Sequence, residues 1–361
     1  DVSGPIDAAG ALSARLIYAH DDRDTHLRYN HVNRDVFGAI VAWKITPEIT
    51  ATAGYTRQEN DSDGVLWGAL PLLYSDGTRI PYPVSASTSA DWTSWNIHDE
   101  SAYAELAYAA EGGWQARGRF TYNRRRSLAT LLYAYGYPDR DSGLGVGGMT
   151  GKYRSPSHQY LGDFYASGPV RLFGREHTLA LGLSTATMQS YEYEAFSETV
   201  PEYPSVSEWA ENGLVVAQPA YPGEYLAEDT KDRLTRAYGA LHVNLADNLK
   251  AVAGASAIWL KTTGSSYGTN ETRRNSRLSP YVGAVFDATA NVSLYASYTA
   301  IYNPQTEVDV TNRRLDPAKG TSIEGGVKSE WFDKKLYVSA AVFRARQQGL
   351  AEAAGVFAPG D

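Results

Sequence analysis

Sulfur is scarce in this chain of 361 residues, which contains no Cys and only 2 Met. A disulfide-stapled scaffold, a thiolate metal site and a cysteine nucleophile all need the missing thiol, so these classes are excluded. Apolar runs are short as well. Mean hydropathy is −0.38, and no stretch of about 18 apolar residues occurs, so no transmembrane helix is predicted. Basic residues number 33 against 41 acidic ones, and the net charge of −8 argues against a nucleic-acid partner.

Tyrosine, glycine and alternating hydrophobicity are what the chain has in quantity. It holds 26 Tyr and 33 Gly, and its hydrophobic content of 43% excludes a disordered chain. In 114–123, Trp114 and Phe120 fall on one face of an extended strand, while Arg117 and Arg119 fall on the other. This period of two predicts β-strands with one apolar and one polar face. About fourteen such strands of an all-β fold are predicted, at 1–6, 11–20, 36–45, 49–58, 101–110, 114–123, 158–171, 177–188, 237–245, 249–261, 277–287, 292–302, 323–331 and 336–346.

The connections between these segments alternate in length. Very short turns follow one set of strands, and long loops follow the other set, at 21–34, 60–99, 124–156, 190–230, 262–275 and 304–321. Short turns on one side and long loops on the other are typical of an antiparallel up-and-down membrane β-barrel. Trp43, Trp114, Trp331 and Phe332 lie near the short turns, as an aromatic girdle would. The alternative is a soluble β-protein in which the same aromatic residues close one end of the hydrophobic core. Alternation alone does not distinguish a face that contacts lipid from a face that packs in a core.

A series of short motifs runs in order along nearly the whole chain. They are DVSGPI (1–6), WGALPL (67–72), ADWTSW (90–95), YASGP (165–169), LFGREH (172–177), YTAIYNPQT (298–306), LDP (315–317) and IEGGVKSEWFD (323–333). Together they resemble the β-barrel of TonB-dependent siderophore receptors, in particular the ferric-coprogen/ferrioxamine and ferripyoverdine subgroup. The resemblance implies an antiparallel up-and-down transmembrane β-barrel of about 22 strands in the bacterial outer membrane. About 14 of those strands are expected in this chain.

The resemblance also implies a function and partners. A receptor of this family binds a ferric siderophore outside the cell and passes it inward when the TonB complex acts on an N-terminal plug. Residues 1–361 are expected to form part of a single barrel domain, without the plug and without about eight final strands. The other implied partners are outer-membrane lipid and lipopolysaccharide. No enzyme activity and no cofactor are expected, because iron enters only inside a siderophore whose oxygens already fill its coordination sphere.

Ligand-binding residues are expected in the long loops near the start of the barrel. A ferric siderophore is a compact chelate with apolar and oxygen-rich parts, which aromatic side chains contact over a large area at low entropic cost. The 60–99 and 124–156 loops are rich in such side chains, although the same side chains could instead pack their own loops. The predicted ligand cage consists of Trp67, Trp92, Trp95, Tyr133 and Tyr135.

Other polar clusters do not indicate catalysis. The arginine run 124–126 lies where a strand leaves the membrane, so lipopolysaccharide phosphate is favoured over the siderophore as its partner. Acidic pairs such as Asp61 and Asp63 lack a calcium-loop pattern, and the seven His show no metal-binding spacing, so no catalytic or metal site is predicted. Two other functions stay open: a passive porin or adhesin-type barrel, and a soluble β-rich carbohydrate-active enzyme.

Overall fold

One antiparallel sheet dominates the computed structural model, which describes residues 1–199, 202–303, 305, 307–311 and 313–355. Pro304 and Thr306 of the YTAIYNPQT motif lie outside the described residues. The single helix in the described part is α1 (Val206–Asn212). The strands are β1 (Val2–Pro5), β2 (Leu12–Asp24), β3 (His31–Lys44), β4 (Ile49–Asp63), β5 (Ser94–Ala109), β6 (Gln115–Tyr135), β7 (Gly147–Leu172), β8 (Arg175–Phe196), β9 (Tyr225–Ala246), β10 (Leu249–Ser266), β11 (Thr269–Asn270), β12 (Arg273–Asp287), β13 (Val292–Asn303), β14 (Ala318–Trp331) and β15 (Leu336–Gln348).

The strand order follows the chain. Each long strand pairs with its sequence neighbours, and the two-residue β11 pairs with β10 alone. The predicted antiparallel, all-β, up-and-down arrangement is confirmed, and each of the fourteen predicted strands has its counterpart. Within the described part of the chain, β1 pairs only with β2 and β15 only with β14, so the sheet has two unpaired edges.

The pairing register separates two faces. Leu106, Phe164, Leu183, Ala237 and Leu278 fall in one register row that crosses the sheet, and we call the side to which they project the apolar face. Side chains of this face stay exposed although they are hydrophobic, as Leu183 at 50% and Leu278 at 61% illustrate. Other hydrophobic residues of β9, β13 and β14 share this face in the register, and none of them is buried: Leu241, Val243, Leu294, Ala296 and Val327.

The opposite side carries hydroxyls, amides and charges, and we call it the polar face. One of its rows runs through Thr56, Ser101, Asn123 and Gln159. Several tyrosines of this face lie flat over a glycine of the adjacent strand, where an added Cβ would overlap the ring; the pairs are Gly54–Tyr103, Gly182–Tyr238, Gly254–Tyr281 and Gly326–Tyr295. A cation stands over three of these rings, namely Arg119 over Tyr103, Arg236 over Tyr238 and Lys328 over Tyr295.

The two ends of the sheet differ, as the sequence predicts. Turns of a few residues lie at one end, which we call the short-turn end, and there Trp43 and Trp331 project from the apolar face. The other end, the long-loop end, carries the segments 25–30, 64–93, 136–146, 197–224 and 304–317. These loops are shorter than predicted because the strands continue beyond the segments of apolar alternation.

This extension moves several predicted loop residues into strands. Trp95 lies in β5, and Tyr133 and Tyr135 lie in β6, so their assignment to loops is wrong. Beyond the segments of alternation, hydrophobic and polar residues occur on both faces of these strands, as the neighbours Leu131 and Leu132 of β6 illustrate, so the sequence loses the period of two by which the strands were recognised. The hydrogen-bonded ladder continues nevertheless, as far as the pair Tyr135–Gly147 between β6 and β7.

A small hydrophobic core holds the long loops together, and we call it the loop core. Its centre is Trp209 of α1, which is 0% exposed and contacts the rings of Tyr82 and Tyr203. The other buried members are Ile80, Ala90, Leu132, Ala134, Val146, Val206, Ala210 and Leu214. The segments 64–93, 136–146 and 202–224 therefore pack as one unit on the end of β6. No helix in the described part of the chain is long and apolar enough to cross a membrane.

Candidate ligand-binding site

A continuous row of aromatic rings lines the polar face at the long-loop end. Trp67 contacts Tyr133 and Tyr153 edge to face, each at 5.5 Å between ring centroids. Tyr153 contacts Phe196 at 6.0 Å, and Phe196 contacts Tyr225 at 6.4 Å. The register places the four strand residues of this row on the polar face of β6, β7, β8 and β9. We call the five residues the aromatic wall.

Backbone pairing positions the first ring of the wall. Trp67 belongs to the 64–93 loop, but it forms a parallel β-bridge with Tyr133, on the edge of β6 that β5 leaves free beyond Thr130. The next residue, Gly68, has a φ of 90°, and a Cβ there would overlap the Tyr133 ring. Glycine is therefore required for the loop to approach this closely. The bridge therefore holds Trp67 beside Tyr133 in the aromatic wall, although Trp67 lies in a loop.

A carboxylate closes the other end of the aromatic wall. Glu194 is 4% exposed and accepts hydrogen bonds from the hydroxyls of Tyr225, at 2.8 Å, and Tyr267, at 3.0 Å. Nearby on the same face, Glu228 accepts hydrogen bonds from the hydroxyls of Thr230 and Ser266, both at 2.8 Å. The wall thus offers ring faces along its length and a buried, hydrogen-bonded carboxylate at its end.

Below the wall lies a polar cavity of about 340 Å³. Arg125 of β6 lies at the upper edge of this cavity. It precedes Ala129, the residue of β6 that pairs with Tyr153 of the wall, by four residues, which is roughly 13 Å along the strand. Asn123 donates a hydrogen bond to Gln159 at 3.0 Å, and Arg125 lies 3.9 Å from Asp99. The cavity is lined by residues of β4 to β8, including Thr56, Gln58, Asp99, Ser101, Asn123, Arg125, Ser157 and Gln159. A ligand at the wall would therefore rest above a floor of hydrogen-bonding groups.

The arginine run 124–126 does not act as one cluster. Arg125 projects from the polar face into this cavity, whereas Arg124 and Arg126 project from the opposite face, because neighbours in a strand alternate. Only two of the three arginines can therefore face lipopolysaccharide, and the prediction for the whole run is wrong for Arg125.

The five predicted cage residues divide in the structure. Trp67 and Tyr133 contact each other in the aromatic wall. Trp95 lies on the same face, and its indole N–H donates to the Ser127 hydroxyl at 2.9 Å. Tyr135 lies near the tip of β6, half exposed, with its ring over Gly147.

Trp92 lies apart from the other four. It packs against the loop core, and its indole N–H donates to the carbonyl of Val216 at 2.9 Å. The geometry therefore gives Trp92 a role in loop packing and leaves four of the predicted residues on the face that carries the wall.

Three residues of the wall were missed from the sequence: Tyr153, Phe196 and Tyr225. All three fall in segments that the sequence assigns to loops, 124–156 and 190–230, where no strand face could be defined. The sequence contains a signal for Tyr153, because this residue continues the series Gln159, Ser157 and Ser155 at every second position of β7. If the period of two had been extended beyond the predicted strand 158–171, it would have placed Tyr153 on the polar face.

Hydrogen bonds hold the carboxylates of the loops in the charged form. The backbone N–H and hydroxyl of Ser142 donate to Asp139 and lower its pKa. The hydroxyl and N–H of Thr78 do the same for the pKa of Asp76. Arg154 binds Glu224 through two nitrogens and lowers its pKa. In the described part of the chain, no group of three or more His, Asp or Glu side chains could hold a metal ion.

A family model describes most of the chain. Residues 52–361 match the model "TonB dependent receptor-like, beta-barrel". The chain belongs to the TonB-dependent receptor family. For a β-barrel of the outer membrane, the apolar face is the one that contacts lipid, the polar face lines the lumen, and the long-loop end is extracellular. The alternative of a soluble β-protein is thereby excluded.

Individual relatives agree with this assignment. The ferripyoverdine receptor of Pseudomonas aeruginosa is 29% identical over 98% of this chain and 43% of its own length. The ferrioxamine B receptor of Salmonella typhimurium is 22% identical over 97% of this chain and 49% of its own. A crystal structure of the Pseudomonas aeruginosa receptor bound to ferripyoverdine superimposes with a TM-score of 0.89 at 27% identity, covering 97% of this chain and 46% of that one. The chain thus spans about half the length of the relatives that it matches.

Proposed function

We propose that this chain is the part of an outer-membrane receptor that binds a ferric siderophore at its extracellular mouth. The observation that carries the proposal is the aromatic wall, which places five rings and tyrosine hydroxyls on the lumen side just inside the long loops. Rings supply contact area to the organic part of the chelate, and hydroxyls and amides supply hydrogen bonds to its oxygen-rich edges. The protein need not bind the iron, which the siderophore already saturates.

The relatives support this ligand class. Receptors for ferripyoverdine and ferrioxamine B are similar to almost the entire chain, and both names describe iron chelates carried by an organic ligand. A ferric pyoverdine is the first ligand to test, because pyoverdine receptors of Pseudomonas aeruginosa and Pseudomonas putida share 29% and 28% identity with this chain. Transport rather than catalysis is the proposed activity.

We further propose that the full-length receptor has an N-terminal plug and additional strands and is energised by the TonB complex. The relatives are about twice as long as this chain, which leaves room for both. The two unpaired sheet edges at β1 and β15 are compatible with closure by further strands. A passive porin is the competing function, and it would require no energy source.

Ferric-siderophore uptake by cells that carry the full-length receptor tests the proposal. Radioactive iron supplied as ferric pyoverdine should accumulate in these cells and not in cells without the receptor. Dissipation of the proton gradient should abolish uptake while binding at the cell surface persists. Uptake that continues without energy would favour the porin, and absence of binding for pyoverdine, ferrioxamine and coprogen chelates would refute the siderophore proposal.

A further inference from the structure

A buried carboxylate at the end of the aromatic wall holds two exposed tyrosine rings. Glu194 is 4% exposed, and it accepts hydrogen bonds from the hydroxyls of Tyr225 and Tyr267, one at each carboxylate oxygen. Tyr225 is 52% exposed and Tyr267 is 63% exposed. The hydroxyl ends of both rings therefore meet at one carboxylate, while much of each ring stays open to a ligand. We call these three residues the Glu194 site.

The backbone positions Tyr267 for this contact. Tyr267 lies in the turn between β10 and β11 with a φ of 50°, a left-handed conformation that is costly for residues other than glycine. Its N–H donates to the carbonyl of Ala227 at 2.8 Å, and its hydroxyl reaches past β9 to Glu194 on β8. Such strain persists where the surrounding contacts fix a residue, and it is common at ligand-binding sites. The Tyr267 ring is therefore held in place before a ligand arrives.

The negative charge at this end of the lumen face is not balanced by cations. Glu192 lies two residues before Glu194 on the same face of β8, and it pairs in register with Glu228 of β9. Within the described part of the chain, none of these three carboxylates forms an ion pair. Arg273, at the start of β12 on the same face, donates instead to the carbonyl of Gln305 at 2.7 Å. Like charges opposite each other on adjacent strands repel, so a positively charged ligand group would remove a repulsion.

We propose that the Glu194 site binds a positively charged group, a protonated amine or a guanidinium, carried by the ferric siderophore. The faces of tyrosine rings attract cations, and the charge of Glu194 at the hydroxyl ends of both rings adds to this attraction. Because Tyr225 also contacts Phe196 of the wall, a cation held here leaves the rest of the chelate on the other rings. The cation belongs to the siderophore, so this inference deepens the proposed function and rests on it.

Two pairs of ferric chelates test the site in the purified full-length receptor. The first pair is ferrioxamine B, which has a free terminal amine, and its N-acetyl derivative. The second pair is a lysine-containing ferric pyoverdine and the same chelate acetylated at the lysine. Acetylation removes the positive charge and leaves the iron-binding groups unchanged. Quenching of tryptophan fluorescence during titration gives the four affinities.

Matched variants assign the effect to the Glu194 site. Glu194→Gln removes the charge and keeps a side chain of the same size that can still hydrogen bond to the tyrosines. Glu224→Gln is the control, because it removes an equal charge from a residue that binds Arg154 on the opposite face of the sheet. Tyr267→Leu removes one ring and leaves Glu194 in place.

The unchanged receptor should bind the charged member of a pair about tenfold more tightly than the acetylated member. In Glu194→Gln, the affinity for the charged member should fall to that of the acetylated member, whose own affinity should stay the same. Tyr267→Leu should also reduce the difference between the two members. Glu224→Gln should keep the full tenfold difference.

Equal or tighter binding of the acetylated member, in every pair that binds to the unchanged receptor, would overturn this inference and leave the siderophore proposal intact. This comparison needs no variant, so it decides the question even if Glu194→Gln fails to fold. A tenfold difference that persists in Glu194→Gln would overturn the inference as well, as would binding of other ferric siderophores but of neither charged chelate. Absence of binding for every ferric siderophore would refute the siderophore proposal, and this inference with it.

Discussion

At the scale of single residues, the aromatic wall separates side chains that could contact a ligand from side chains that hold the loops. Trp67 and Trp92 come from the same loop and from motifs that equally suggest the family, yet they differ in their surroundings. Trp67 lies against Tyr133 and Tyr153 on the lumen face, whereas Trp92 donates to Val216 within the loop packing. Their substitutions should therefore have different effects.

In the full-length receptor, Tyr153→Ala should weaken ferric-siderophore binding by roughly ten- to a hundredfold. Removal of a well-packed aromatic contact costs on the order of 1–3 kcal/mol, and Tyr153 touches both Trp67 and Phe196. Quenching of tryptophan fluorescence during titration with the chelate gives the affinity. The control is Tyr160→Ala, on the lipid face of the same strand, which should bind normally. Equal affinities for the two variants would place the ligand elsewhere.

The flat tyrosines give a second prediction at this scale. Gly182→Ala should destabilise the barrel by about 1–3 kcal/mol, because the new Cβ overlaps the Tyr238 ring and forces it off its strand. Gly118→Ala is the control, since nothing lies within 4 Å of a Cβ at that position on the lipid face. Equilibrium unfolding in urea with lipid vesicles measures both. A Gly182→Ala receptor as stable as the Gly118→Ala receptor would contradict the packing described.

At the scale of elements, the loop core is the unit whose integrity can be tested. Trp209→Ala removes a fully buried ring, so it should cost about 3–5 kcal/mol of local stability. The strands keep their own hydrogen bonds, so the loss should be confined to 64–93, 136–146 and 202–224. Hydrogen exchange with mass spectrometry should show faster exchange there and unchanged exchange in β12 to β14. The half-exposed Trp43, at the short-turn end, is the control, and Trp43→Ala should leave loop exchange unaltered.

The 136–146 loop should also respond to acid. Hydrogen bonds from Ser142 lower the pKa of Asp139 below its ordinary 3.8, so the folded loop binds a proton less readily than the open loop does. The stabilisation is therefore complete above pH 3.8 and is lost as the pH falls through the lowered value. Exchange rates of this loop should rise over that interval, and Asp139→Asn should remove the dependence. An identical acid response in the variant would assign the effect to another group.

The elements also show how far the sequence could be interpreted. Fourteen strands, their antiparallel order and the apolar face were predictable, because a period of two is imposed wherever one side meets lipid and the other a polar lumen. The strand extensions of β5 and β6 were not predictable in this way, since hydrophobic and polar side chains occur there on both faces of the strands. Trp67 and Tyr133 could be selected by residue type, whereas the role of Trp92 depends on packing between segments that are more than 100 residues apart.

At the scale of the whole molecule, the unpaired sheet edges decide how residues 1–361 behave alone. β15 is exposed along its entire length and pairs on one side only, and β1 likewise has one partner. Unsatisfied backbone groups are not tolerated in lipid, and free edges template aggregation. Refolding of this chain alone into detergent or vesicles should therefore give aggregates, whereas the full-length receptor should give a monomer with a heat-modifiable electrophoretic shift. A stable, heat-modifiable monomer of residues 1–361 would contradict this expectation.

The tyrosines that lie over glycines also have a mechanical consequence. Four tyrosine rings lie flat against the inner surface of the sheet, those of Tyr103, Tyr238, Tyr281 and Tyr295. At these points the width of the lumen is therefore set by the backbone and not by the length of the side chains. At Tyr281 a folded body inside the lumen would meet a flat ring face instead of an upright side chain. Over Tyr103, Tyr238 and Tyr295 it would meet the cations that stand 3.8 to 5.4 Å from the ring centroids, and these cations would attract an acidic surface.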